Sequence, residues 1–171
     1  LRDGSGIGVA PESTVVMLKV LEKDGSGKIK NMIKGMEWIL ANHQKYGIRI
    51  VNISVGMPVK NIENPEEDIL VKKVEALWDA GMVVVVAAGN DGPAPHTITS
   101  PGTSRKVITV GTGKEAGNEY SGQGPVLGSC ICKPDIIAPA ANILSCDNHG
   151  KSYKRRSGTS MATPIVAGTV A

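Results

Sequence analysis

The chain has 171 residues, of which 41% are hydrophobic and 20% charged, as expected for one globular domain with a sizeable core rather than a disordered protein. Its net charge of +3 is too small to indicate a nucleic-acid partner, and its longest apolar run, residues 82–88, is too short to span a membrane as a helix. Aromatic residues make up only 3%, so the core must be built from aliphatic side chains, and the 21 glycines suit close packing of strands and helices.

The first third of the chain predicts a loop, a strand and a helix. Residues 1–11 are rich in glycine and polar residues, which is typical of a loop. Residues 14–21 are mostly β-branched and aliphatic, and the shortness of this run favours a strand. After the break at 24–27, apolar residues recur at spacings of three and four between Ile29 and Leu40, which predicts an amphipathic helix that covers a sheet.

Strand and helix signals then alternate. Residues 48–54 predict a second buried strand, and residues 65–80 predict a second amphipathic helix that ends at Gly81. Residues 82–87 form an apolar run without alternation, which is typical of a central parallel strand with both faces covered. Further short extended segments are predicted at residues 106–112, 136–139 and 143–145. This order predicts an α/β fold with a mostly parallel central sheet and helices on both faces.

The loops that follow the predicted strands are the natural place for a site, because ligands of parallel sheets bind beyond the carboxyl ends of the strands. These loops are residues 25–27, 54–56 and 89–92. A nucleotide site is not predicted. Residues 111–114 mimic the end of a phosphate-binding loop, but Ile108 and Glu115 stand where that motif needs glycine and serine or threonine.

The three cysteines cannot complete a disulfide framework, and Cys130 lies too close to Cys132 in sequence for an unstrained bridge. We expect reduced, mostly buried thiols, which favours a cytoplasmic over a secreted location but does not decide it. No metal site is predicted, because the cysteines lack a fourth ligand at a usual spacing.

A basic cluster precedes the last helical segment. It comprises Lys151 and residues 154–156, and it predicts a solvated hairpin or loop. The alternative is a contact with an acidic partner or substrate.

Small polar residues at 157–160 run directly into an Ala- and Val-rich segment of helical character, which places Thr159 or Ser160 at a helix N-terminus. Free backbone N–H groups and the helix dipole favour negative charge there, whether on an attacking oxygen or on the oxyanion that it generates. A capped helix without a catalytic role is the alternative interpretation.

The string Gly158-Thr159-Ser160-Met161-Ala162-Thr163-Pro164 resembles the nucleophile motif of the subtilisin-like serine peptidases, the subtilases. The resemblance implies a three-layer subtilisin-like fold and a serine endopeptidase that hydrolyses peptide bonds through an acyl-enzyme at Ser160. It also implies a polypeptide substrate. Further similarities cover residues 8–11, 37–38, 100–102 and 133–139, so the resemblance extends over essentially the whole chain.

The resemblance assigns residues to the oxyanion and to the substrate. Residues 87–92 are similar to the family's oxyanion segment, which implies that the Asn90 amide donates to the developing oxyanion. Residues 21–27 resemble the edge segment whose backbone pairs with an extended substrate. The implied pairing positions are Gly25, Ser26 and Gly27.

Residues 52–56 are similar to the strand that flanks the family's specificity pocket. The implied pocket has Ser54, Val55 and Gly56 on one wall and Ala87, Ala88 and Gly89 on the other. Walls this small leave room for a bulky apolar substrate side chain. Met57 stands where the family usually has a second glycine, which leaves the side-chain preference open.

Proton-transfer residues are the large departure from the family. A serine nucleophile needs a general base and an acid that orients it, and the subtilase order is Asp, His, Ser. Neither the family's Asp segment nor its His-Gly-Thr-His segment occurs in this sequence, and His149 matches no catalytic position. Because the sequence starts without Met and stops within a predicted helix, we expect residues 1–171 to be an incomplete catalytic domain. This piece would begin after the His segment, end within the nucleophile helix and be inactive alone.

Two further expectations follow from the family. Subtilases often bind calcium away from the catalytic centre, but no complete ligand set can be matched here, so no cofactor is assigned. An N-terminal propeptide is a partner that the resemblance leaves open. The alternative function is a catalytically dead, subtilase-like module that binds peptides or regulates another protein.

Overall fold

The computed structural model describes residues 8–59, 68–113, 119–147 and 152–171. In chain order the elements are α1 (Ile29–Tyr46), β1 (Ile50–Ile53), α2 (Ile69–Asp79), β2 (Val83–Ala87), β3 (Ile108–Gly111), β4 (Ile136–Ile137), β5 (Ile143–Cys146), β6 (Tyr153–Arg156) and α3 (Thr159–Val170).

Strands β1 to β4 form one parallel sheet in the order β1-β2-β3-β4. Ile50 lies opposite Val83, and Val85 lies opposite Ile108. Because parallel strands run the same way, their carboxyl ends lie along one edge of the sheet. The predicted α/β fold with a parallel sheet is confirmed.

Helices cover both faces of this sheet. On one face, Val84 and Val86 pack against α1 and α2 in a core that includes Met32, Met36, Leu70, Val74 and Leu77. On the other face, Val85 packs against α3 in a second core that includes Ala162, Val166 and Ala167. Successive side chains of a strand point to opposite faces, so β2 needs apolar residues at every position. The uninterrupted apolar run at 82–87 therefore has the cause predicted from the sequence.

The strand predicted at 14–21 is absent from the structure. Only Leu21 makes a bridge, which is antiparallel and isolated, to Gly27. Val20 packs at the edge of the core on the α1 side, whereas Met17 is 83% exposed. The chain there is amphipathic like a strand, but within the described ranges no neighbouring backbone pairs with residues 14–20. Strand character needs such a partner, which the local sequence cannot supply.

Helix α2 begins later than its sequence predicts. The Asp68 carboxylate accepts a hydrogen bond from the Leu70 backbone N–H at 2.8 Å and so caps the helix. Residues 65–67 of the predicted helix lie outside the described residues. At the other end, the Gly81 N–H donates to the Trp78 carbonyl at 2.9 Å, as expected for a residue that ends a helix.

Strands β5 and β6 form an antiparallel hairpin immediately before α3, and Lys154, Arg155 and Arg156 of β6 are exposed. This agrees with the predicted solvated hairpin, while Lys151 lies outside the described residues. The three cysteines are free and exposed, so the expectation of buried thiols is wrong. They lie on this hairpin and in the irregular chain before β4, which the two cores do not cover.

No helix in the described ranges combines the length and the apolar character that crossing a membrane would require.

Candidate active site

The carboxyl ends of β1 and β2 meet the N-terminus of α3 at one edge of the sheet. The Ser160 hydroxyl of α3 donates a hydrogen bond of 2.7 Å to the Ser54 carbonyl, just beyond β1. Thr159 of α3 contacts Asn90, just beyond β2. Three segments that are far apart in sequence are therefore joined by direct hydrogen bonds, at the sheet edge where the sequence predicted a site.

Ser160 occupies the first turn of α3. The helix begins after Gly158, whose φ of 141° and ψ of 158° suit glycine far better than other residues. Backbone N–H groups of a first turn have no acceptor within the helix, and the helix dipole places partial positive charge there. The half-buried Ser160 therefore lies where negative charge on a bound group is stabilised.

The orientation of the Asn90 amide is fixed by Thr159. The Asn90 Oδ1 atom accepts one hydrogen bond from the Thr159 backbone N–H at 3.0 Å and a second from the Thr159 hydroxyl at 3.1 Å. A backbone N–H can only donate, so the amide oxygen must face α3. The Asn90 NH₂ group is thereby left to donate elsewhere.

A cleft of about 420 Å³ lies in front of these groups. It brings together all predicted site residues except Ser26 and Ala88, namely Gly25, Gly27, Ser54, Val55, Gly56, Ala87, Gly89, Asn90 and Ser160. Ala88 is fully buried and its backbone is used within the fold, because its N–H donates to the Val110 carbonyl at 2.9 Å.

The edge segment is held in a tight turn. The Glu22 N–H donates to the Ser26 carbonyl at 2.8 Å. The Asp24 carboxylate accepts hydrogen bonds from the Ser26 hydroxyl at 2.7 Å and from the Ser26 N–H at 2.9 Å. These donors lower the pKa of Asp24, the hydroxyl more than the N–H, because they stabilise the charged form. Ser26 thus serves the turn, while Gly25 and Gly27 face the cleft.

The sequence did not reveal some of the residues that line the cleft. Met32, Pro58, Thr99 and Thr159 were not predicted as site residues, yet all four border it. Thr159 could have been noticed as the neighbour of the nucleophile. Thr99 has no local signal, because it lies in an irregular segment and reaches the cleft only through the fold.

No histidine of the described residues borders the cleft. His43 belongs to α1, and a ring nitrogen of His96 lies 2.7 Å from the Pro125 carbonyl. His149 lies outside the described residues. The described ranges also hold no grouping of three or more His, Cys, Asp or Glu side chains that could bind a metal ion, so no calcium ligand set is assigned.

Comparison with known proteins gives one consistent result. The model of the subtilase family matches residues 2–171. Serine protease AprX of Bacillus subtilis (strain 168) is 40% identical over 189 aligned positions, which cover 96% of this chain and 42% of that protein. Subtilisin E of the same organism is 34% identical over 165 positions and is covered to 40%. The solved structure of Sphericase superposes with a TM-score of 0.79 at 29% identity, over 97% of this chain and 56% of that structure. The chain thus spans less than half the length of either sequence relative.

Proposed function

The chain belongs to the subtilase family, and on that premise we propose that it forms part of a serine endopeptidase that cleaves polypeptides through an acyl-enzyme at Ser160. The observation that carries the proposal is the joint geometry of two contacts. Ser160 is bonded to Ser54 at the end of β1, and Thr159 is bonded to Asn90 at the end of β2. A hydroxyl, an amide donor and a cleft therefore converge at one point.

In the proposed reaction, the Ser160 oxygen attacks the carbonyl carbon of the scissile peptide bond and gives its proton to a general base. The carbonyl π bond opens, and the substrate oxygen becomes an oxyanion. When the tetrahedral intermediate collapses, the C–N bond breaks and the base returns the proton to the leaving amine. Water then attacks the Ser160 ester by the same route and releases the acid product.

Two donors are placed to stabilise the oxyanion. One is the Asn90 NH₂ group, which Thr159 leaves free by holding the amide oxygen. The other is the Ser160 backbone N–H, in the first turn of α3. Such donors accelerate the reaction because they are already oriented toward charge that appears only in the transition state.

The general base is the part of the mechanism that the described residues do not supply. The Ser160 proton is directed to a backbone carbonyl, which is too weakly basic to remove it. We propose that the histidine base and its aspartate partner come from residues of the full-length protein that precede Leu1, in the family order Asp, His, Ser. The 171-residue chain alone would then hold the nucleophile, the oxyanion donors and much of the cleft but would not turn over substrate.

The proposal is tested in the full-length polypeptide that contains these residues. Its coding sequence should place the Asp and His segments before Leu1. The protein should cleave an internally quenched peptide, and Ser160→Ala should lower kcat by at least about 10⁴-fold. Peptide binding without cleavage by the unsubstituted protein would instead identify the catalytically dead module.

A further inference from the structure

The side chain of Thr99 stands between the two walls of the cleft. A methyl group added to Gly89 would lie 2.5 Å from Thr99 Cγ2 and 2.7 Å from Thr99 Oγ1. A methyl group added to Gly56, on the opposite wall, would lie 3.0 Å from Thr99 Cβ. Thr99 is itself only 5% exposed. The space between the glycines that a substrate side chain would enter is therefore closed at its inner end by this residue.

Backbone hydrogen bonds hold Thr99 in this place from both sides. Its N–H donates to the Ala88 carbonyl of one wall at 3.0 Å. The next residue, Ser100, exchanges two hydrogen bonds of 2.9 Å with Met57, which follows the other wall. The segment 99–100 thus bridges the gap between the ends of β1 and β2, and the position of its side chains is set by the fold rather than by a mobile loop.

A second cavity, of about 300 Å³, lies beyond Thr99 and is called the rear cavity here. Thr99, Pro58 and Asp91 border both the cleft and the rear cavity. Much of the remaining lining of the rear cavity is apolar and includes Ile98, Val126 and Leu127. Space suited to an apolar group therefore exists directly behind the Thr99 side chain.

We propose that Thr99 sets the size limit for the substrate side chain next to the scissile bond. The inference rests on the proposed peptidase function and deepens it. With Thr99 in place, the pocket takes short side chains such as that of alanine and excludes an aromatic ring, whose insertion would require the 57–58 and 99–100 backbone to move. The bulky apolar preference expected from the small wall residues is thereby reversed, because the floor and not the walls limits the pocket.

The test compares two tetrapeptide p-nitroanilides that are identical except for alanine or phenylalanine before the scissile bond. In the full-length protein, Thr99→Gly should join the cleft to the rear cavity and raise the Phe-to-Ala ratio of kcat/KM at least about 10-fold. Thr99→Ser, which removes only Cγ2, should shift the ratio in the same direction by a smaller factor. Thr99→Val keeps the shape and should leave the ratio unchanged. Thr103→Ala alters the rear cavity alone and should also leave it unchanged.

Folding of each variant is checked by its Tm, and Thr99→Ser serves if Thr99→Gly does not fold. An unchanged Phe-to-Ala ratio in a folded variant that still cleaves the alanine substrate would overturn the inference and leave the proposed function intact.

Failure of the unsubstituted protein to cleave any substrate would overturn the proposed function instead. The pocket is then measured without chemistry, by calorimetric binding of the tripeptide and tetrapeptide acids that end in alanine or phenylalanine. Thr99→Gly should raise the affinity for the phenylalanine acid relative to the alanine acid by a similar factor, and equal affinity ratios with and without the substitution would refute the size limit.

Discussion

The Asn90 amide oxygen accepts two hydrogen bonds from a single residue, Thr159, at 3.0 Å from its N–H and 3.1 Å from its hydroxyl. These bonds join the end of β2 to the start of α3 across 69 residues of sequence. Because they occupy the oxygen, they decide which end of the amide faces the cleft. The same relationship therefore positions the nucleophile helix and orients the proposed oxyanion donor.

The first prediction concerns Asn90 itself. Asn90→Ala should lower kcat about 10²- to 10³-fold, the known cost of removing an oxyanion-hole donor in subtilisin, and should leave KM nearly unchanged. The reason is that the amide acts on charge present only in the transition state. Steady-state kinetics on one peptide substrate measures both constants. A rise in KM with kcat preserved would show that Asn90 binds substrate rather than the oxyanion.

Thr159 should act as a positioning residue through Asn90. Thr159→Val removes the hydroxyl donor but keeps the backbone N–H, so the amide loses one of its two restraints and kcat should fall about 10-fold. Thr159→Ser restores the hydroxyl and should recover most of the activity. In Asn90→Ala, by contrast, Thr159→Val should cost little more, because the group that it orients is gone. Equal losses in both backgrounds would mean that Thr159 acts by packing alone.

Sequence reasoning succeeded where the signal was local. The unbroken apolar run of β2 identified a strand buried on both faces, and the small residues before α3 identified a helix start. Each pattern reflects constraints within a few residues of chain, namely strand periodicity and the free N–H groups of a first turn.

Contacts between distant segments could not be predicted in this way. Residues 14–20 have a strand-like composition, but the sequence does not say which backbone would pair with them. Thr99 reaches the cleft because hydrogen bonds tie residues 99–100 to Ala88 and Met57, and the sequence around it carries no sign of either bond. The floor of the pocket thus becomes visible only when the strands are assembled.

A prediction about stability concerns Lys133, whose side chain is 1% exposed. Its ammonium group donates to the Val107 carbonyl at 2.8 Å and to the Asp135 carboxylate at 2.6 Å. Lys133→Met should lower the free energy of unfolding by about 2 kcal/mol or more, since the carbonyl and the half-exposed carboxylate lose a shared donor.

The matched control is Lys106→Met. Lys106 also contacts a carboxylate, that of Asp79 at 2.7 Å, but both side chains are well exposed. Urea unfolding should show little change for this variant, because water replaces a surface ion pair. Similar losses in the two variants would argue against a special role for the buried ammonium group.

The turn at the cleft edge gives a prediction about pH. Hydrogen bonds from Ser26 lower the pKa of Asp24, so the stability that they add is present above the unfolded value of about 3.9 and is lost as the pH falls through the lower folded value. Ser26→Ala removes the hydroxyl donor and should raise the pKa of Asp24, as measured by NMR titration of its carboxyl carbon. Ser26→Thr keeps a hydroxyl and should leave the pKa low. The same pKa in Ser26→Ala would contradict the assigned cause.

The central claim is that Ser160 is an activated nucleophile, and covalent labelling tests it most directly. The full-length protein is treated with a fluorophosphonate probe, and the modified residue is located by mass spectrometry of its peptides. The account predicts modification at Ser160, none in Ser160→Ala, and weak labelling of the 171-residue chain alone. Equal labelling of the unsubstituted protein and Ser160→Ala, or modification at another residue, would contradict it.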